Sequence, residues 1–428
     1  MHPLQWSQAT KRLPPCWVHA IDLFDCVIQV VDINRLFHAD AEYYLDRNID
    51  SAAAAVATAR QPDIEYTPDY NKYTARIKRR LETEETLATK NLPAGFTRQL
   101  KSELVWEGGS IANDFDWNFI LSPEHIEELE HALAHFKSLN TPPGYIDETT
   151  FPLPKLHFAL RDISRELHFG HGFKVIRGNP VTRYSREDNI ILSADLSSHN
   201  ASLRARQDSR YNGEPADVVL SHIKDLSASK EKTALAPPLT RLTSKCSTPT
   251  VPLTGAKVDC ASTWRVYNEL AATRPDLIET LSQDWIADNF GNSEQPYATK
   301  PLLFHQPATA KIPERVVLQY ARRYFTGFGP LPHSTAIPPI TETQAEALDA
   351  YVNNLAVFHA RDGFKDTPER QRHLVRLWLR DPEYCWETPS ALTSKWAQLY
   401  HGVATDRQVF PLEPYVRSAS NGSLKAAQ

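Results

Sequence analysis

The stretch HLVRLWLR, from His373 to Arg380, alternates along its length. Leu374, Arg376, Trp378 and Arg380 fall on one side of an extended chain, and Val375, Leu377 and Leu379 on the other. Residues two apart share a face in a β-strand. One face therefore closes a core. The other must offer its guanidinium groups an anion or a polar cavity, because a buried charge is costly unless paired. Just upstream, YVNNLAVFHA reads as a strand that turns at RDGF and returns as HLVRLWLR. That hairpin brings His359, at a strand end, beside Arg372 and Arg376, which share a side of the returning strand.

Other segments supply the surroundings. DSAAAAVATARQ and NKYTARIKRRLETEETLATK read as helices, the second so charged that it is expected at the surface. A basic docking patch at RIKRR is the less favoured reading, since ETEE follows at once. Ser122 and Pro123 suit the N-cap and first position of a helix with Ile126, Leu129, Leu133 and Phe136 on one stripe. A second helix precedes GFKVIRG, a short strand closed by Gly178. ADVVLSHIKDL is a strand candidate, STWRVYNELAATRPDLIETLSQ a helix pair broken at Pro275, ERVVLQYARRYFTG partly strand, and TETQAEALDA a helix capped by Thr341. The chain has 31 prolines against 15 glycines, which suits short strands bounded by loops. The fold class expected is α+β: a sandwich or barrel of short strands between residues 170 and 385, with helices outside it. Residues 1–95 form a mostly helical extension and residues 96–428 the main domain.

Composition excludes several functions. A net charge of −5 and a pI near 6.4 argue against nucleic acid. No apolar run approaches the roughly 18 residues a membrane span needs. Five cysteines without a CxxC pair, and an N-terminus without a signal-like apolar core, point to a reduced, cytoplasmic setting. No G-x-S-x-G elbow supports a hydrolase. The partner expected is a small-molecule substrate, with no nucleic acid and no membrane; a homo-oligomer stays open.

A non-haem Fe(II) oxygenase holds its iron with two histidines and a carboxylate on one face. An arginine on a neighbouring strand grips the far carboxylate of 2-oxoglutarate with its planar fork. His359 and Arg372 satisfy the histidine and arginine parts of that description. Arg376 would neutralise the same cosubstrate or an anionic substrate group. A surface histidine and a salt-bridged arginine strand are the alternative. Asn353 and Asn354 lie near the site or in a turn. Trp378 and Trp386 are expected in the core rather than as a substrate platform, and Arg204, Arg206 and Arg210 on a solvated loop, with contact to an anionic substrate as the less favoured reading.

The segment YVNNLAVFHARDGFKD…RQRHLVRLWLR resembles the C-terminal signature of the taurine dioxygenase (TauD/TfdA) family of Fe(II)/2-oxoglutarate-dependent oxygenases, in its fungal branch. GFKVIRGNPVTRYSRED is similar to the family's early strand and following helix, and WRVYNELAATRPDL to the helix after its proximal metal motif. The resemblance spans roughly residues 95–415. It implies a double-stranded β-helix (jelly-roll-like) core with flanking helices, Fe(II) held by His359, and 2-oxoglutarate bound by Arg372 and Arg376. It also implies hydroxylation of a small organic substrate, anionic or a sulfonate, as in a tailoring step of fungal secondary metabolism.

The chain departs from the family in three places. The family supplies its other two ligands from one H-x-D motif before the WRVYNEL-type helix. Here that window reads ALAPPLTRLTSKCSTPTVPLTGAKVDCAST, without a histidine. His222 and Asp225 in SHIKD are three apart, on opposite faces of a strand, so His222 reads as an ordinary buried histidine. His38 with Asp40, and His125 with Glu127, read as incidental. Cys246–Val251 can be encoded by TGT TCC ACA CCG ACA GTG, which two bases later reads Phe-His-Thr-Asp-Ser. A shifted frame or misplaced intron over about residues 237–260 is one hypothesis for the gap, which the sequence of the transcript decides. A strand and a Gly-Asp turn are also missing between Ala350 and Tyr351, and GAKV stands where the family has a glycine pair. The alternative function is a pseudoenzyme or binding protein that has lost its metal site.

Overall fold

The computed structural model describes residues 19–20, 28–32, 64, 69–84, 86–87, 90–224, 258–288, 296–310, 313–319, 323–326, 337–350, 357–361 and 373–415. The chain divides into two compact units, one of residues 1–42, 106–261 and 359–420, the other of 43–105, 262–358 and 421–428.

In the first unit, His373–Arg380 is the central strand of a four-stranded antiparallel arrangement. Ile28–Asp32 pairs along one edge, Val30 opposite Arg376. Leu220–Lys224 takes the other edge, Ser221 opposite Arg376, and Leu203–Arg204 continues it. Val375, Leu377 and Leu379 are buried on one face, and Leu374 is buried beside Arg376 on the other, so both faces of the strand are covered. A strand has only two edges, and both are filled here. Val357–Arg361, the strand carrying His359, pairs instead with Val258–Ser262. The simple hairpin expected between the two C-terminal strands is therefore not among the described pairings.

Three helices of this unit pack together. Pro123–Ser138 begins as its sequence predicts: Ser122 Oγ accepts from His125 N, and His125 Nδ1 accepts from Ser122 N, both at 3.2 Å. His125 is thus a capping residue. Leu129, Leu133 and Phe136 are buried. Leu156–Phe169 buries Leu156, Leu160, Ile163 and Leu167. Between them runs Arg186–Asn200, every residue of it buried from Asn189 onward, also packed against the central strand. Its buried serines return their hydroxyls to the helix backbone: Ser193 donates to Asn189 O at 2.7 Å and Ser198 to Asp195 O at 2.8 Å. The strand Val175–Arg177 pairs with Asn118–Ile120 and His19–Ala20, and ends at Gly178, whose φ of +91° suits glycine.

The second unit packs the helices Tyr70–Thr83, Thr263–Thr273, Pro275–Ser282 and Glu342–Ala350 with two hairpins, Trp285–Asp288 with Tyr297–Lys300 and Leu303–Gln306 with Arg315–Leu318. Trp264, Tyr267 and Leu270 are buried on the predicted face. Asn268 ties down Leu100, accepting from its N–H at 2.7 Å and donating to its carbonyl at 3.0 Å. The helix expected to be solvent-exposed is not wholly so. Arg76 and Arg80 are buried against Glu342–Ala350, Arg76 on Asp349 and Glu342, Arg80 on Glu346. Arg274 joins them, binding Asp276 at 2.7 and 2.8 Å and Glu346. Arg76 and Arg80 of RIKRR thus line an ion network, while Lys78 and Arg79 stay exposed.

The described residues form an α+β arrangement of helices and several small sheets, which do not close into a barrel among themselves. No helix among them is long and apolar enough to cross a membrane. DSAAAAVATARQ, His38, Asp40, Asp225, the 237–260 segment save its last residues, and Asn353 with Asn354 lie outside the described residues.

Candidate functional site

The best-defined of the expected site residues is Arg376, only 1% exposed. Its strand is fixed on both edges, and its guanidinium lies 5.1 Å from the Trp378 ring centre, on the same face. Gln207 organises the group. Its Oε1 accepts from Arg376 Nε at 3.2 Å and from Ser221 Oγ at 2.6 Å. Its Nε2 donates to Val219 O at 2.5 Å and to Arg376 O at 2.9 Å. The side-chain amide thus locks the arginine to the neighbouring strand. No sequence pattern singled out Gln207 or Ser221, because their role exists only through strand register.

His359 lies in Val357–Arg361. Arg372 lies outside the described residues. His222 is buried, as expected, and faces His373 across the strand pair: His222 Nδ1 and His373 Nε2 are 2.8 Å apart, and His222 Nε2 donates to Pro411 O at 2.7 Å. His222 sits opposite Val375, one residue out of phase with Arg376, so the histidine pair and Arg376 take opposite faces of the sheet.

The arginines read as a solvated loop differ among themselves. Arg204 is buried, donating to Ile146 O at 2.5 Å, Gln408 Oε1 at 3.2 Å and Gly144 O at 3.3 Å. Burial lowers its pKa to about 10, against the pull of Asp195 and Asp147. It is a structural cation, which corrects the loop reading. Arg206 binds Asp217 at 2.5 Å, and the exposed Arg210 donates to Gly213 O at 2.8 Å. Trp386 is in the core, donating to His168 O at 3.2 Å, while Trp378 is half-buried.

A second cluster escaped the sequence. Glu148, His157 and His199 each place a ligand-type atom within 4.8 Å of the other two. His157 and His199 stand 42 residues apart, a spacing that belongs to no motif. Asp195, one helical turn before His199, is wholly buried, and its Oδ1 is 3.3 Å from His199 Nε2. Burial pushes the Asp195 carboxyl up to about 7, though His199 draws it back. Burial alone would lower the His199 pKa, but its hydrogen bond and charge interaction with Asp195 leave it raised.

The chain matches the family model described as "Taurine catabolism dioxygenase TauD, TfdA family" over residues 136–353. That stretch holds Gln207, Ser221 and the buried helix, and ends before His359 and the two arginines. The chain is also 30% identical over 359 residues to the "Taurine hydroxylase-like protein SAT17" of Stachybotrys chartarum, across 74% of this chain and 89% of that protein. With half its length in the family match and this relative aligned nearly end to end, the chain belongs to the taurine catabolism dioxygenase TauD/TfdA family.

Proposed function

We propose that this chain acts as an Fe(II)/2-oxoglutarate-dependent dioxygenase on a double-stranded β-helix core, hydroxylating a small anionic or sulfonate substrate in a tailoring step of fungal secondary metabolism. The observation that carries the reading is Arg376: a guanidinium 1% exposed, on a strand fixed from both edges and oriented by Gln207. Arginine so held suits bidentate recognition of a carboxylate, which lysine does not reproduce. Family membership supplies the rest of the support. Arg372 and Arg376 would bind the carboxylates of 2-oxoglutarate, or Arg376 the anionic end of the substrate, and His359 would be a metal ligand. Bound iron with 2-oxoglutarate supplies oxygen-activating chemistry. Cysteine usage favours a cytoplasmic site for it.

The cosubstrate's chemistry fits these residues better than the metal's. One histidine is not the three-ligand face that iron requires. The window before Trp264 offers no H-x-D pair to complete it. The chain as written therefore carries anion-binding arginines without the iron's full donor set.

Anaerobic Fe(II) uptake, with consumption of 2-oxoglutarate and release of succinate, tests the proposal. Turnover of 2-oxoglutarate that falls at least tenfold in Arg376→Ala is expected. No consumption of 2-oxoglutarate would leave a binding protein that kept the fold and lost the oxygenase metal site.

A further inference from the structure

We propose that Glu148, His157 and His199 form a binding site for a first-row divalent transition ion, separate from the site containing Arg376 and His359 and supported from behind by Asp195. The three come from different local structures: Glu148 from the loop before Leu156–Phe169, His157 from that helix's first turn, and His199 from the last turn of Arg186–Asn200. The two helices pack together, which sets the imidazoles face to edge with 5.1 Å between ring centres.

Protons locate the lone pairs. His199 Nε2 faces two acceptors, Phe151 O at 3.0 Å and Asp195 Oδ1 at 3.3 Å, so it carries the ring proton. His199 Nδ1 then presents a lone pair to His157 Nδ1, 2.9 Å away. Two nitrogens of this kind share either one proton or one cation. A ligating histidine usually donates its other N–H to a carboxylate or a carbonyl, which fixes the ring and makes it a better donor. His199 has both.

Asp195 is the independent observation. It is 0% exposed, and its Oδ1 faces the His199 Nε2 proton at 3.3 Å. The other polar side chains of its helix largely return to the backbone; this carboxylate instead faces His199. Held against this carboxylate, the His199 ring is fixed with Nδ1 turned toward His157, and its Nδ1 is the better donor for an ion. Glu148 is exposed and His157 half-buried, so the cluster opens to solvent on the Glu148 side and an ion has a way in. Two imidazoles, a carboxylate and one open position suit zinc. Zinc would hold the two nitrogens roughly 3.3 Å apart at tetrahedral angles, so the rings need part by only a few tenths of an ångström.

The test is titration of the chelator-stripped full chain with Zn(II) alone, by calorimetry, with Co(II) absorption reporting coordination. One equivalent should bind with a tetrahedral cobalt spectrum. Glu148→Gln and His157→Gln should each weaken binding at least tenfold. Asp195→Asn should weaken it about 10- to 100-fold at unchanged stoichiometry. Glu148 is exposed, so Glu148→Gln leaves the fold intact even where another variant fails to fold. His359→Ala should bind as the parent does. Absence of a stoichiometric equivalent, full affinity in Glu148→Gln, or loss of the equivalent in His359→Ala would each overturn the site. Because the readout is zinc rather than turnover, an inactive oxygenase centre leaves this result unchanged.

Discussion

Arg376 shows how much one buried side chain depends on another. The Gln207 amide makes four hydrogen bonds, two of each kind. Gln207→Leu removes all four of these bonds, and a buried group left unsatisfied costs about 1–3 kcal/mol. A loss of roughly 3 kcal/mol or more in chemical denaturation is expected. Arg376→Lys keeps the charge without the fork, and calorimetric 2-oxoglutarate affinity should fall at least tenfold. A second residue-scale effect concerns pH. Burial works to raise the Asp188 carboxyl, but the Lys137 hydrogen bond at 2.7 Å, with help from Ser185, leaves its pKa lowered. Lys137 is raised in turn, chiefly by that bond. A carboxylate with a lowered folded pKa stabilises above its unfolded value and loses that contribution as pH falls through the folded one. Stability from this pair should therefore decline below about pH 4, and Lys137→Met should flatten that acid limb in a pH series of melting temperatures. Half of the Lys137 side chain is exposed, so the effect is small. At this scale strand parity set Arg372 and Arg376 on one side of the strand without choosing between them, and it did not show what holds Arg376. Gln207 lies 169 residues from Arg376, and no local pattern links them.

Elements were legible where their ends carry local chemistry. Ser122 and Pro123 announce the Pro123–Ser138 helix, and Thr341 with Gln344 caps Glu342–Ala350 at 2.8 and 3.1 Å. Ser122→Ala should cost about 1 kcal/mol, read as a drop in melting temperature with the far-ultraviolet signal unchanged. Arg186–Asn200 was far less legible beyond its start. A helix buried on all sides has no polar stripe to betray its period, and its Ser, Asp, His and Asn residues resemble loop chemistry. The hairpin expectation failed for a different reason. Two adjacent strands were read as partners, while both edges of the later one are filled from elsewhere.

At the scale of the whole molecule, the second unit is held by charges distant in sequence. Arg76 meets Glu342 across 266 residues, which is why a charged helix looked like a solvated one. Glu346 is 0% exposed and bonds both Arg80 and Arg274. Glu346→Ala leaves two guanidinium groups short of a partner, and breaking a buried pair this way costs about 3–5 kcal/mol. An early loss of the helices of this unit in denaturant is expected, followed by hydrogen exchange at Tyr70–Thr83. A transcript read through residues 237–260 should give Phe-His-Thr-Asp-Ser; a message that encodes CSTPTV in frame would leave the metal-poor chain as the true product.

His373–Arg380 has a consequence for how the protein is made. Its neighbours Ile28–Asp32 and Leu220–Lys224 leave the ribosome long before it does. Until it emerges, both lack the strand they pair with, and backbone amides and carbonyls along those edges wait for a late arrival. Nascent chains halted short of that point should remain sticky and dependent on chaperones, whatever their helices have achieved.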